Sequence, residues 1–345
     1  MPPRASIRRL LNSAWIVAYS REQARFKDAL SRVAETQQQH LRNLLRRNAR
    51  TRFGKRHSFA HIRSVADYQK RVPITAYDVL TPDIEAIARG EAEVLTSEPV
   101  RLFQPTSGST AGTKLIPWTA ASAGEFRSAI APWIAALYQR KPALLRGTAY
   151  WSVSPPTTAL QTHGRLRVGF AHDAEYLGFV GRKLFSLVNA VPADLAQCRD
   201  PREFRTRTLL SLLADADLSL ISVWSPTFLT TLLEHFVTHR DAILERLSEC
   251  GCPAAKRRAE FLRATSSEGV DSAFFEKVWP DLQVISCWTH GPSEIYAENL
   301  RRLFPTVEIQ GKGLVATEGF VSLPVQEGLD PVLAVASHFF EFQHL

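Results

Sequence analysis

No run of 18 apolar residues occurs anywhere in the 345-residue chain, which predicts no membrane-spanning helix. Cysteine is scarce: Cys198, Cys250, Cys252 and Cys287 are the only four, and Cys250-Gly251-Cys252 has neither a second pair nor a nearby histidine partner. That spacing fits no zinc site, and free thiols in a reducing compartment such as the cytoplasm are expected. Acidic side chains are absent before Glu22. Together with the arginines there, this leaves two alternatives for the first twenty residues, a basic helix or a mitochondrial presequence. The apolar patch broken by Asn12 and Ser13, with no small-residue cleavage site after it, argues against a secretory signal. No internal repeat or low-complexity linker divides the chain.

Charge is unevenly distributed. Residues 1–56 hold 14 Lys/Arg against Glu22, Asp28 and Glu35, whereas the formal net charge of the whole chain is only +8. The remainder is therefore slightly acidic, which argues against a nucleic-acid groove running through the fold. A basic-tailed nucleic-acid binder resting on the N-terminus alone would lack interleaved aromatics and any recognisable module. Apolar residues make up 45% of the chain, enough for a substantial core.

Helical periodicity runs through residues 5–48, with Ile7, Leu10, Leu11, Trp15 and Tyr19 continued by Phe26, Leu30, Val33, Leu41, Leu44 and Leu45. Gly54 centres a predicted turn over residues 52–57. Thr81, as N-cap before Pro82, predicts a helix over residues 82–88. Strands are expected at 100–103, 115–117, 148–153, 218–223, 284–288 and 307–309, and the last strands at 320–325 and 332–336. Helices are expected at 120–139 behind Thr119, at 201–214, at 226–239 behind Ser225-Pro226, and at 241–247, 255–263, 271–278 and 293–303. Strands alternating with helices predict a layered α/β fold with a mainly parallel sheet, and the close strands after 307 suggest a separate small β layer. The polar, glycine-bearing span 157–181 is either a site-lining loop or a plain surface excursion.

Two stretches carry chemistry. Gln104-Pro105-Thr106-Ser107-Gly108-Ser109-Thr110-Ala111-Gly112-Thr113-Lys114 is rich in hydroxyls, with two glycines and a closing lysine. Glycines let a backbone approach a ligand closely, and hydroxyls, free N–H groups and an ammonium can wrap phosphate oxygens. The alternative is a solvated turn. The spacing is not that of a Gly-x4-Gly-Lys-Ser/Thr loop, since Thr113 separates Gly112 from Lys114. The second stretch is Thr317-Glu318, after Gly311-Lys312-Gly313. A hydroxyl there could touch phosphate and the carboxylate could hold Mg²⁺, which on ATP takes one or two carboxylates plus phosphate oxygens. Alone, such a pair is as well explained by a surface strand.

Taken together, these stretches resemble the auxin-responsive Gretchen Hagen family of acyl-acid-amido synthetases in its bacterial form, within the adenylate-forming superfamily. The resemblance extends to residues 44–54, to Val72-Pro73-Ile74-Thr75-Ala76-Tyr77, to residues 94–100, to Thr106-Ser107-Gly108-Ser109-Thr110 with Lys114 and Pro117, to residues 221–229 and to residues 311–319. It implies ATP-dependent activation of a carboxylic acid as an acyl-adenylate, followed by attack of an amine or amino acid and release of AMP. Carried over, Thr106, Ser107, Gly108, Ser109, Thr110, Gly112 and Lys114 would clamp phosphates. Thr317 would touch the α-phosphate, Glu318 would hold Mg²⁺, and Gly291, Pro292 and Leu314 would sit near the adenine. The catalytic set implied is Lys114, Thr317 and Glu318.

Two departures stand out. The family often sets an aromatic residue against the adenine, and here Leu314 and Val315 take its place. The chain also stops after residues 338–345, where the ribose-binding aspartate motif, hinge and mobile C-terminal domain of the family are expected to follow. The expectation is one large N-terminal adenylate-forming domain over 1–345, with a basic helical segment at 1–56 and the start of a β subdomain at 307–345. Such a truncated chain would be a ligase, or else a catalytically inactive remnant that binds ATP or an acid without turnover. Candidate walls of the acyl pocket are Phe126, Ile130, Trp133, Trp151, Phe170, Tyr176 and Phe179, which serve equally well as core. The acid, the amine and the oligomeric state are not encoded in any pattern here.

Overall fold

The computed structural model describes residues 5–106, 114–152, 161–169, 187–250, 253–266, 269–326, 328 and 330–343. At its centre is a four-stranded, wholly parallel sheet. Strands β3 (Thr148–Trp151), β6 (Leu218–Ser222), β7 (Val284–Cys287) and β8 (Glu308–Gly311) lie side by side in that order. A parallel strand buried on both faces needs near-continuous apolar sequence, and Leu218 to Ser222 and Val284 to Cys287 are buried at every position.

Alternation divides these side chains between two cores. Tyr150, Ile221 and Ile285 pack on one face with Leu229, Phe236, Phe274 and Trp279. Ala149, Leu220 and Val284 pack on the other, with Trp15, Phe126, Trp133 and Leu137. The second face is covered by helix α6 (Ala120–Arg140), and α1 (Ala5–Ser31) lies on α6 in turn. Thr119 opens α6 as expected, in a reciprocal cap with Ser122. Helices α7 (Pro201–Ala214), α8 (Pro226–Ser248), α9 (Pro253–Ser266), α10 (Ser272–Val278) and α11 (Glu294–Leu303) follow in chain order. Asp200, Ser225 and Asp271 cap α7, α8 and α10 by accepting backbone N–H bonds.

The expected single sheet is in fact divided. β1 (Leu102–Pro105) and β2 (Leu115–Trp118) form an antiparallel hairpin in a second sheet, beside β5 (Leu166–Val168) and β4 (Gln161–His163). The expected β layer near the C-terminus is present only as four two-residue strands: β9 (Val315–Ala316), β10 (Gly319–Phe320), β11 (Ser322–Leu323) and β12 (Val332–Leu333).

Several boundaries differ for physical reasons. The helix expected over 5–48 breaks at Arg32, whose backbone leaves the helical region, so α2 begins at Val33 and runs to Asn48. Residues expected as a turn form a short helix, α3 (Arg52–Arg56), because the Thr51 side chain accepts from Gly54 N. Gly54 is required there, since a Cβ would fall 2.1 Å from the Asn48 carbonyl oxygen. After α4 (Val65–Arg71), α5 (Tyr77–Ala88) starts four residues before the expected cap at Thr81 and carries Pro82 inside it. Tyr77 is fixed by tertiary hydrogen bonds, and the helix begins with it, ahead of the local start signal.

The basic N-terminus has a structural use that its composition did not reveal. Arg8 is buried, donates to the Arg146 carbonyl at 3.1 Å and pairs with Asp217. Asn12 donates to the Leu145 carbonyl at 3.0 Å. Polar side chains on α1 thus satisfy the chain reversal ahead of β3. Among the described residues no helix is long and apolar enough to cross a membrane.

One buried carboxylate offers a test of this framework. Asp83 on α5 is 2% exposed and accepts a two-pronged bond from Arg56 at 2.9 and 3.1 Å. Asp83→Ala removes a charged acceptor from two donors, and urea denaturation is expected to show a loss of about 1–3 kcal/mol.

Candidate functional site

The hydroxyl- and glycine-rich stretch joins β1 to β2. Thr106 N donates to the Lys114 carbonyl at 2.9 Å, closing the hairpin at its base. Ser107, Gly108, Ser109, Thr110 and Gly112 lie outside the described residues. The base is held from outside by α5, where the Tyr77 hydroxyl accepts from Leu115 N at 2.8 Å and donates to the Leu115 carbonyl at 3.2 Å. The Lys114 ammonium lies 5.8 Å from the centre of the Tyr77 ring and has no ion-pair partner among the described residues. The Thr106 hydroxyl is buried there without a hydrogen-bond partner among the described residues. A cation and a hydroxyl, each without such a partner among the described residues, stand at the two ends of the loop, the donor chemistry an anion needs.

Thr317 and Glu318 occupy the two-residue tip between β9 and β10. Glu318 is exposed and has no ion-pair partner among the described residues. A single free carboxylate fits Mg²⁺ that keeps its remaining bonds for waters and phosphate oxygens. Among the described residues no group of three or more His, Cys, Asp and Glu could form a metal cage. No side-chain hydrogen bond or ion pair among the described residues links Lys114 to Thr317 or Glu318.

Between the end of β7 and the β9–β10 hairpin lies a cavity of about 500 Å³. Its walls come from the two segments singled out for adenine: Trp288, Thr289, His290 and Ser293 on one side, Lys312, Gly313 and Leu314 on the other, with Ser322, Asp330 and Pro331. Gly291 has φ +59° and opens the short helical turn Gly291–Ser293 that contains Pro292, next to the cavity wall. Gly313 permits a backbone crossing: a Cβ there would stand 2.0 Å from the Ser322 carbonyl oxygen. Leu314 is exposed, with its N–H bonded to the Ser322 hydroxyl at 2.9 Å. This position lies at the C-terminal ends of parallel strands, where open α/β sheets bind ligands.

Lys312, in the Gly-Lys-Gly turn, carries no expected role in the sequence, and the structure gives it the most unusual environment among the described residues. It is 6% exposed. Its Nζ donates to the Ser222 hydroxyl at 2.6 Å and sits 4.6 and 4.7 Å from the centres of the Trp133 and Trp224 rings. Burial lowers its pKa to about 7, partly offset by the neighbouring Cys287 thiol. Burial pushes that thiol up to about 11. A lysine just beyond a predicted strand, flanked by glycines, was the available signal. Of the acyl-pocket candidates, Trp133 lies beside this lysine and packs edge-on against Trp151 at 5.9 Å, whereas Phe126 packs against Trp118 and Phe320. Ile130 packs against the same core, and Phe170, Tyr176 and Phe179 lie outside the described residues.

Known proteins share this architecture. The GH3 family N-terminal domain matches residues 22–309. Over 96 residues the chain is 32% identical to the probable indole-3-acetic acid-amido synthetase GH3.1 of Arabidopsis thaliana, covering 27% of this chain and 16% of that one. It is 34% identical over 99 residues to the indole-3-acetic acid-amido synthetase GH3.8 of Oryza sativa subsp. indica, covering 28% and 16%. The fold matches the solved GH3.15 acyl acid amido synthetase with a TM-score of 0.75 at 17% identity, over 93% of this chain and 61% of that one. A second structure, AtGH3.15 in complex with 2,4-DB, matches with a TM-score of 0.76 at 16% identity, over 92% and 60%. The chain thus spans about three fifths of the length of these solved relatives.

Two measurements bear on these segments. Tyr77→Phe strips both bonds from Leu115 at the hairpin base and is expected to cost about 1–3 kcal/mol in urea denaturation. For Lys312, the folded state binds a proton less tightly than the unfolded chain, so its contribution to stability rises with pH above about 7. Lys312→Met is therefore expected to raise the melting temperature relative to wild type at acidic pH, with the gain shrinking as the pH becomes alkaline, as calorimetry across that range would show.

Proposed function

Because the chain belongs to the GH3 family, we propose that it is the nucleotide- and acid-binding part of an acid-amino acid ligase. In this reading it activates a carboxylic acid with Mg-ATP and passes the acyl group to an amine or amino acid. The observation that carries the proposal is the cavity in which the Trp288-to-Ser293 wall meets Lys312, Gly313 and Leu314 at the C-terminal ends of the parallel strands. The division of the chain follows as part of the same reading: one large adenylate-forming domain, with its basic helical segment at 1–56 and a β subdomain from 307.

The chemistry asks mainly for positioning and for charge stabilisation on phosphate, and the half-buried Lys114 cation and the exposed Glu318 carboxylate suit it. The acid's carboxylate oxygen attacks the α-phosphorus of ATP and pyrophosphate departs, giving the acyl-adenylate. The amine then attacks the acyl carbon, and AMP leaves with the electrons of the broken C–O bond. Lys114, with Thr106 and Ser107, Gly108, Ser109, Thr110 and Gly112 of the loop, would hold phosphate oxygens. Thr317 would donate to the α-phosphate and Glu318 would ligate Mg²⁺. The base would rest between Leu314 and the Gly291-Pro292 turn, with an aliphatic side chain in place of an aromatic stack. Mg²⁺, when bound, neutralises phosphate charge and orients the leaving group. The free thiols of Cys198, Cys250 and Cys287 suit the reducing cytoplasm.

Calorimetric titration with Mg-ATP tests this directly. Wild type is expected to bind saturably. Lys114→Ala and Glu318→Ala are each expected to weaken binding by about tenfold or more, equivalent to at least about 1.4 kcal/mol. Binding undiminished in both variants would refute the assignment of these two segments to one nucleotide site.

A further inference from the structure

On the face of the parallel sheet covered by α6, the last cross-strand row departs from the apolar pattern. Strand register aligns Trp151 with Ser222, Ser222 with Ser286, and Ser286 with Gln310. One row earlier on the same face stand Ala149, Leu220 and Val284, which are core, with Glu308 on the edge strand paired to Arg140 at 2.7 Å. Ser222, Ser286 and Gln310 are 3%, 0% and 6% exposed. Polar groups buried this deeply are ordinarily paired. Gln310 accepts from Trp133 Nε1 at 2.9 Å, and Ser222 accepts from Lys312. The Ser286 hydroxyl has no partner among the described residues.

Lys312 lies two residues beyond Gln310, and its side chain crosses β7 to reach Ser222 on β6. An ammonium has three donors, and the described residues fill one. The faces of Trp133 and Trp224 accommodate the charge without accepting a conventional bond. No carboxylate lies within ion-pair distance of Nζ among the described residues. The nearby titratable groups are the Cys287 thiol on β7 and, across the cavity, His290 and Asp330, which face each other at 3.8 Å. A buried cation with unfilled donors is costly unless an anion completes it. The cavity runs from exposed Leu314 to buried Lys312, and its volume lies in the range of small-molecule sites.

We propose that Lys312 is the anchor for the carboxylate of the acid substrate: the two N–H donors that no described residue fills and the Ser286 hydroxyl hold the carboxylate oxygens, and the indoles of Trp133 and Trp224 beside the ammonium, with Trp288 on the cavity wall, receive an apolar or aromatic acid body. The proposal rests on the ligase reading and adds to it the residue that selects a carboxylate. Indole walls favour a flat apolar body over a hydrophilic one, and a single cation selects a monoacid. An amine titrating near neutrality also ties acid binding to pH, tight where Lys312 is charged and weak where it is not.

The test is calorimetric titration of the full chain without nucleotide, using octanoate, phenylacetate and indole-3-acetate. At about pH 6 at least one acid is expected to bind, with about tenfold or greater weakening at about pH 9. Lys312→Met is expected to lose about tenfold or more at the lower pH. Lys312→Arg is expected to retain most of the affinity, and Ser286→Ala to lose a smaller factor. Folding of each variant is checked by its melting curve. Equal acid affinity in Lys312→Met, or no binding of any of the three acids by wild type that binds Mg-ATP, overturns the proposal. Lys312-dependent acid binding by a chain that ignores Mg-ATP would leave this anchor standing and remove the nucleotide assignment instead.

Discussion

The parallel sheet depends on the separation between its apolar interior and its polar end. Along Leu218 to Ser222 and Val284 to Cys287 every position is buried, so every polar side chain placed there must be satisfied within the protein or by a ligand. In the central rows β6 and β7 meet this with Leu220, Ile221, Val284 and Ile285. At the last row the sequence changes to Ser222, Ser286 and Gln310, and α6 answers with Trp133, an indole that presents a donor to Gln310 and a face to Lys312. One helix side chain thereby serves the sheet and the cavity region at once. The position of α6 is therefore tied to the site, and so is that of α1, which packs on α6 through Trp15, Tyr19 and Phe26.

The glycine-rich loop has a different support. Its hairpin belongs to a second sheet, and its base is held by the hydroxyl of a helix residue, Tyr77, through both polar groups of Leu115. Helix α5 is held in turn by the pairing of Asp83 with Arg56. The hairpin is nonetheless packed into the core beside the cavity, because Leu102 and Trp118 join the cluster of Phe126, Trp133 and Phe320.

Much of the framework was legible in the sequence because local and tertiary signals agree there. Asp200, Ser225 and Asp271 sit at helix starts that their chemistry announces, and the apolar runs at 218–222 and 284–287 can only be interior strands. Where tertiary contacts overrode local signals, the pattern misled. Pro82 suggests a helix start, but Tyr77 is anchored from another layer and the helix begins with it. The topology of residues 102–118 was hidden for a related reason: nothing within them shows that this hairpin joins β5 instead of the parallel sheet. The family resemblance drew attention to Leu314, which lines the cavity, and to Gly291 and Pro292, which lie beside its wall. Lys312 was passed over because a lysine in a glycine turn looks solvated, and its burial arises from Trp133 and Trp224, both far away in the chain.

The crossing of Gly313 over Ser322 has a bearing on how this site can diversify. Where backbone rests on backbone, no side chain at that point is available for substitution, and replacement of the glycine would force the strands apart. At that point the cavity wall is fixed in shape. New ligand contours must be drawn on the facing wall, from Trp288, His290 and Pro331, and at the rim, from Leu314. Sequence drift in this pocket is thus channelled to one side, with the rigid side acting as the datum against which a changed ligand would still be aligned.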